Sequence, residues 1–221
     1  VQAPADEVIL TLTNRPGVDI TKITGGGGRL PLAPDKNTAG VAVQSFLRAM
    51  KSEQGVEIEL IKRLPLGSGM GSSAASAVAA LVAINHLMGN PLARKELVIH
   101  AMEAERVACG TAHADNVAPS LMGGFVLIRD SQSLDFITVP VNWDLYCTLI
   151  HPHLEVKTED SRKILKNSVT LKDSLTQSAN LASLMIGLVT SDHELVSRSM
   201  QDVIAEPVRS LFIPGFWEIK K

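Results

Sequence analysis

The segment Leu64-Pro65-Leu66-Gly67-Ser68-Gly69-Met70-Gly71-Ser72-Ser73-Ala74-Ala75 carries the residue types that hold a phosphate. Glycines at alternate positions (Gly67, Gly69, Gly71) let the backbone turn tightly and approach a ligand with no Cβ in the way. An alanine-rich apolar run from Ala74 to Met88 follows and ends at Gly89, so the order reads strand, glycine loop, helix N-terminus. The first amides of a helix lack intrahelical acceptors and sit at the positive end of its dipole, an arrangement that favours an anion. Ser72 or Ser73 could cap that helix or reach a metal on the phosphates. A Walker A loop is excluded, because no lysine lies between Arg63 and Arg94. The dinucleotide pattern fails as well: Ser72 stands where its third glycine belongs. Protein-kinase signatures are absent, since there is no Asp-Phe-Gly and His113-Ala114-Asp115 lacks the arginine of His-Arg-Asp. A plain glycine turn ahead of a core helix is the alternative reading of the same residues.

Two further places could do chemistry. Leu97, Ala101, Glu105 and Ala108 share one helical face, and a carboxylate on an apolar stripe demands a partner. That partner is either a core ion pair or a metal or substrate; Glu103, off the stripe, faces solvent. Beyond it, Cys109-Gly110-Thr111-Ala112-His113-Ala114-Asp115-Asn116-Val117-Ala118-Pro119 reads as a loop of small hydrogen-bonding side chains that ends at Gly123-Gly124. Asp115-Asn116 is also ordinary turn chemistry, and His113 reads as structural.

The elements that position these residues follow from pattern. Glu7 to Asn14 alternates as a strand with Val8, Leu10 and Leu12 on one face, followed by a turn at Pro16-Gly17. The run Gly25 to Gly28 reads as a flexible hairpin tip. Asn37 caps a helix reaching about Ser52, with Val41, Phe46, Leu47 and Met50 buried. Val56 to Leu64 is a strand feeding the glycine loop. Asn90 caps a helix that starts at Pro91 and reaches Ala108. Strands are expected over 122–128, 136–139 and 145–150, and helices near 161–167, 174–190 and 194–204. The pattern changes at Pro140, which divides the chain into domains 1–140 and 141–221.

Composition narrows the function classes. The 221 residues are 45% hydrophobic with a net charge of −2, ordinary for a globular protein and without the basic stripe that nucleic acid requires. The apolar run near Ala74 to Ile84 is too short to span a membrane. Cys109 and Cys147, two isolated cysteines, suit a reducing compartment and set a cytoplasmic expectation.

Together these segments resemble the GHMP small-molecule kinases and, within them, the homoserine kinases. The glycine loop is similar to that superfamily's phosphate-binding motif, with Met70 where leucine is more usual. More specific are Glu105-Arg106 with Cys109-Gly110-Thr111 and His113-Ala114-Asp115-Asn116-Val117-Ala118-Pro119. Lys157-Thr158-Glu159-Asp160-Ser161-Arg162-Lys163-Ile164-Leu165, Glu206-Pro207-Val208-Arg209 and Ile213-Pro214-Gly215-Phe216 extend the likeness over nearly the whole chain. The resemblance implies a two-domain α+β fold: a ribosomal-S5-like βαβ N-terminal domain and a ferredoxin-like C-terminal one. It implies ATP-dependent phosphorylation of the L-homoserine hydroxyl to O-phospho-L-homoserine, on the route to threonine. ATP would lie on Pro65, Leu66, Gly67, Ser68, Gly69, Met70, Gly71, Ser72 and Ser73. Ser73 and Glu105 would hold Mg²⁺. Asn116 would contact homoserine, Arg162 and Arg209 would grip its carboxylate, and Thr158 would lie near the reaction centre. A homodimer is common among such enzymes.

Two family motifs are not found: an N-terminal Pro-Ala-Ser segment leading to Gly-Phe-Asp, and a last glycine-rich motif. A chain of only this length is expected to show little or no activity, and the expectation is that both ends of a complete enzyme lie outside it. Where some GHMP kinases carry a catalytic aspartate, seven residues before Gly-Gly, this chain has Asn116, and Asp115 beside it would orient the loop. An amide takes no proton at neutral pH, so transfer by positioning and charge stabilisation is expected. The alternatives are a GHMP kinase for another alcohol, such as mevalonate or a sugar, against which the arginine segments argue, and a non-catalytic fragment.

Overall fold

A computed structural model describes residues 5–150 and 164–220, with residues 108 and 109 described through their backbone alone. Two compact units result, Val1–Thr138 and Val139–Lys221.

The first unit is built on a three-stranded sheet of β1 (Glu7–Thr13), β2 (Val18–Thr24) and β3 (Gly55–Ile61), ordered β1-β3-β2. The central strand runs antiparallel to β1 and parallel to β2, with an irregularity between Ile20 and Lys22. In β3 the period of two is strict: Val56, Ile58 and Leu60 are buried while Glu57 and Glu59 face water. The parallel pairing requires a crossover, which α1 (Thr38–Ala49) supplies. As expected, Asn37 caps α1 by accepting a bond from the Ala39 amide at 3.0 Å. Its buried face carries Val41, Phe46 and Leu47.

Helices α2 (Ser72–Leu87) and α3 (Arg94–Cys109) complete the layer. Alanines at 74, 77 and 80 make α2 slim enough to pack against α1, α3 and β1 together. Phe46, Ile58, Leu81, Ile84, Leu97 and Val98, all essentially inaccessible, form the centre of the core.

Three local expectations need correction. The glycine run is no hairpin tip, because β2 and β3 are parallel. Gly25 to Gly28 instead leaves β2 through a short 3₁₀ turn toward α1. Gly25 is required there: a Cβ on it would lie 2.2 Å from the Lys62 carbonyl oxygen. Helix α3 starts at Arg94, not Pro91, with the Ala93 amide donating to the Glu96 carboxylate at 2.7 Å. Asn90 adopts a left-handed turn (φ 58°), and the Asn85 side chain holds both the amide and the carbonyl of Leu92, fixing an extra turn of loop. The segment after Asn116, read as loop and then as strand from Met122, forms a short helix, α4 (Val117–Met122). Pro119 is tolerated there because it falls in the first turn. Strands β4 (Phe125–Asp130) and β5 (Asp135–Val139) pair as a second, two-stranded sheet.

The described residues of the second unit form helices α5 (Leu171–Thr190), α6 (His193–Ser199), α7 (Glu206–Arg209) and α8 (Phe216–Lys220). Thr170 caps α5 and Asp192 caps α6 through their side chains. Gly187 lets α5 approach α6, since a Cβ there would meet Val196 at 2.9 Å. The Trp143 indole donates to the Leu188 carbonyl at 2.8 Å. Residues 145–150 have no regular structure rather than the expected strand, because a strand needs a ladder partner and the described residues of this unit offer none. Most of the helix expected near 161–167 lies outside the described residues. Among the described residues no helix is long and apolar enough to cross a membrane.

Candidate active site

Four segments converge at the N-terminus of α2. The loop between β3 and α2 has Gly67, Gly69 and Gly71 at φ 71°, 73° and 68°. All three lie in the left-handed region that glycine enters freely. Gly71 is the N-cap of α2 and offers no side-chain oxygen, so the helix begins without a side-chain cap. Neither serine serves as that cap. Ser72 Oγ is turned back to the Leu64 carbonyl, and Ser73 Oγ donates to Glu105 Oε1 at 2.7 Å. The helix end is thus left to bind an anion through its backbone.

The Ser73–Glu105 bond joins α2 to α3 in the first unit. Glu105 is 4% exposed, which answers the question its apolar stripe raised: its partners lie inside the fold. Glu103 turns outward and pairs with Arg106 at 3.3 Å. A hydroxyl and a carboxylate are hard oxygen donors, the kind Mg²⁺ selects when phosphate oxygens complete its shell. The described residues hold no cluster of three His, Cys, Asp or Glu that would cage a metal by itself. The pair fits part of a metal shell whose other ligands come from a bound phosphate.

Asn116 stands on the far side of the loop. A Cβ on Gly71 would lie 3.0 Å from Asn116 Oδ1 and 3.2 Å from its Cβ and Cγ, so the asparagine packs directly on the end of the glycine loop. Asp115 Oδ1 accepts from the Asn116 amide at 3.1 Å, and Ser120 Oγ donates to the Asn116 carbonyl at 2.7 Å. Sequence reasoning thus finds Gly71, Ser73, Glu105 and Asn116, and the fold brings them together. Pro65, Leu66, Ser68 and Met70 lie along the same loop, with Ser68 Oγ donating to the Pro65 carbonyl at 2.7 Å. Arg209 ends α7 on the second unit, partly buried. Thr158 and Arg162 lie outside the described residues.

One pair at the site was missed. Lys62 Nζ, buried, donates to Asp6 Oδ2, to the Ser72 carbonyl at 2.8 Å and to Ser76 Oγ at 2.7 Å. Ser76 Oγ in turn reaches Asp6 Oδ2 at 3.0 Å, and Asp6 Oδ1 accepts from the amides of Arg63 at 2.9 Å and Leu64 at 3.0 Å. Burial pushes the Asp6 carboxyl up, but the Lys62 bond, the Leu64 and Arg63 amides and the lysine's charge outweigh it and hold it below the usual value. For Lys62 burial wins over Asp6 and draws the ammonium below the ordinary lysine value. The signal was available: Lys62 continues the inward set Val56, Ile58, Leu60, and one step beyond the Glu7–Ile61 pairing sets it opposite Asp6.

Residues 37–124 match the family model described as GHMP kinases N terminal domain. The matched residues lie in the first unit. The homoserine kinase of Chlorobium phaeobacteroides is 53% identical over 230 residues, covering 100% of this chain and 72% of that protein. The crystal structure of homoserine kinase from Cytophaga hutchinsonii superposes with a TM-score of 0.93 at 52% identity, covering 98% of this chain and 69% of that one. This chain belongs to the homoserine kinase family. At the level of fold alone, L. major mevalonate kinase, solved in complex with R-mevalonate, matches with a TM-score of 0.59 at 17% identity, over 88% of this chain and 63% of that chain.

Proposed function

We propose that this member of the family transfers the γ-phosphoryl group of ATP to the side-chain hydroxyl of L-homoserine at the junction of the glycine loop and α2. The observation that carries the reading is the Ser73–Glu105 bond of 2.7 Å, a buried carboxylate and a hydroxyl held at the mouth of an uncapped helix. The loop from Pro65 to Ser73 holds the phosphates through backbone amides, which the left-handed glycines leave unobstructed. Ser73 and Glu105 would hold Mg²⁺, which would supply positive charge against the charge that develops during transfer. Asn116, packed on Gly71, places the acceptor hydroxyl against the phosphate end of the loop. Its amide takes no proton, so the alcohol loses its proton late or to phosphate, which a loose transition state permits.

Arg162 and Arg209 bind the homoserine carboxylate, because the guanidinium fork matches a carboxylate with two parallel bonds. Thr158 is assigned to the reaction centre by the family resemblance. Domain 1–140 carries the glycine loop and Asn116, and domain 141–221 carries Thr158, Arg162 and Arg209. Cys147, a free and exposed thiol, suits a reducing cytoplasm.

The test is ADP release from MgATP with homoserine, mevalonate, galactose or no acceptor. Turnover with homoserine alone is expected. Turnover with mevalonate or galactose instead would overturn the assignment of the arginines, and silence with every acceptor would overturn the catalytic reading.

A further inference from the structure

Among the described residues, the glycine loop is held at its two ends and almost nowhere between. Its glycines take left-handed conformations, and among the described residues a Cβ at Gly69 would meet nothing within 4 Å and Ser68 to Pro65 is the one side-chain bond within residues 65–71. At the upstream end Asp6 binds the amides of Arg63 and Leu64. At the downstream end Lys62 binds the carbonyl of Ser72, the first residue of α2. Asp6 and Lys62 bind each other, with both side chains inaccessible. Ser76, one turn into α2, accepts from the lysine and donates to the aspartate. The three N–H bonds of one ammonium are thereby spent on the residue preceding β1, the loop end and the helix.

We propose that Asp6, Lys62 and Ser76 form a buried clasp that sets the distance and angle between the end of β3 and the first turn of α2, making Lys62 a positioning residue for ATP. The inference rests on the reading of this loop as the nucleotide site. The pair is neutral as a whole and sits behind the loop, so it acts through geometry and not by attracting the phosphates. Such geometry is sensitive, because a displacement of about 1 Å in a positioned group reduces rates by about a hundredfold.

Removing one charge leaves the other buried and unpaired, which is strongly destabilising, whereas replacing both is often neutral. The experiment therefore uses the double variant Lys62→Met/Asp6→Asn beside each single one. Asparagine keeps an acceptor for the amides of Arg63 and Leu64. Melting temperature, KM for ATP and KM for homoserine are measured on the enzyme. The double variant is expected to melt near the parent while its KM for ATP stays raised about tenfold or more, with KM for homoserine within about twofold of the parent. A parental KM for ATP in the double variant would overturn the proposal and leave the pair a stabilising element only. Should the double variant not melt cooperatively, Ser76→Ala decides, because it keeps both charges: KM for ATP is expected to rise about threefold, and no change would overturn the proposal. Gly71→Ala is measured alongside. If it leaves KM for ATP unchanged, the nucleotide reading of the loop itself fails; if it raises KM while the clasp variants do not, only the clasp fails.

Discussion

Gly71 and Gly69 offer a controlled comparison of two glycines in the same loop. Both lie in the left-handed region, at φ 68° and 73°, so alanine at either incurs about 1–2 kcal/mol of backbone strain. A less flexible unfolded chain offsets about 0.4–1 kcal/mol of that. The surroundings differ: a Cβ at Gly69 has nothing within 4 Å, whereas one at Gly71 meets Asn116 Oδ1, Cβ and Cγ at 3.0–3.2 Å. Asn116 must rotate to make room, and a side chain driven about 30° off its rotamer loses about 0.5–1.5 kcal/mol. Gly71→Ala should accordingly be less stable than Gly69→Ala by about 0.5–1.5 kcal/mol. Removing the asparagine side chain should return that difference. The assay is urea unfolding of the five variants Asn116→Ala, Gly71→Ala, Gly69→Ala and each glycine variant combined with Asn116→Ala. Coupling with Asn116 is expected at position 71, and additivity within about 0.5 kcal/mol at position 69. Equal coupling at both positions, or none at position 71, would refute the packing of Asn116 on the loop. A rise in KM for homoserine should accompany the Gly71 variant, since the displaced group is the one assigned to the substrate.

Other outcomes follow from the same geometry. Glu105→Gln keeps an acceptor for Ser73 but removes the charge, so the Mg²⁺ concentration giving half-maximal rate should rise at least about tenfold, read from a metal titration of ADP release. Arg209→Ala should raise KM for homoserine by about ten- to a hundredfold, from about 1.5–3 kcal/mol per charge-assisted bond at about 1.4 kcal/mol per decade, while KM for ATP stays near its parental value. His100 is buried between α1 and α3 with Ser45 Oγ at 2.9 Å from Nδ1. Burial first, and Arg48 second, hold its pKa below the ordinary 6.5. As pH falls below 6.5 the unfolded chain takes up a proton that the folded chain refuses, so stability should fall from there down to the folded pKa. His100→Asn should remove that slope from a denaturation series over pH.

Much of the site was legible because its residues are unusual where they stand. Three alternating glycines before an alanine helix, and a carboxylate on an apolar stripe, both violate what a plain core would use, and both lie at the site. Asn37 was legible as a cap because its chemistry is local. What escaped reading depends on long-range partners. The glycine run at 25–28 is shaped by the Lys62 backbone, and α3 starts late because Asn85 holds Leu92. Lys62 carries no signal of its own in the sequence, since its meaning comes from Asp6, 56 residues earlier. The inward alternation of β3 contained that information, but only together with the pairing register.

The strand order also governs how this unit can be made. Both β1 and β2 hydrogen-bond to β3, and they are not bonded to each other. Partners in the β1–β3 ladder lie 42 to 54 residues apart. During synthesis β1 and β2 leave the ribosome before β3, the strand both pair with, and α1 can form before these ladders do. Loop closure over such separations is slow compared with helix formation. Strand β1 therefore joins β3 only after β3 has emerged, and that same event carries Asp6 to Lys62. Translation thus sets the glycine loop in place after β3, and a ribosome paused before residue 61 holds a nascent chain in which β1 and β2 still lack β3.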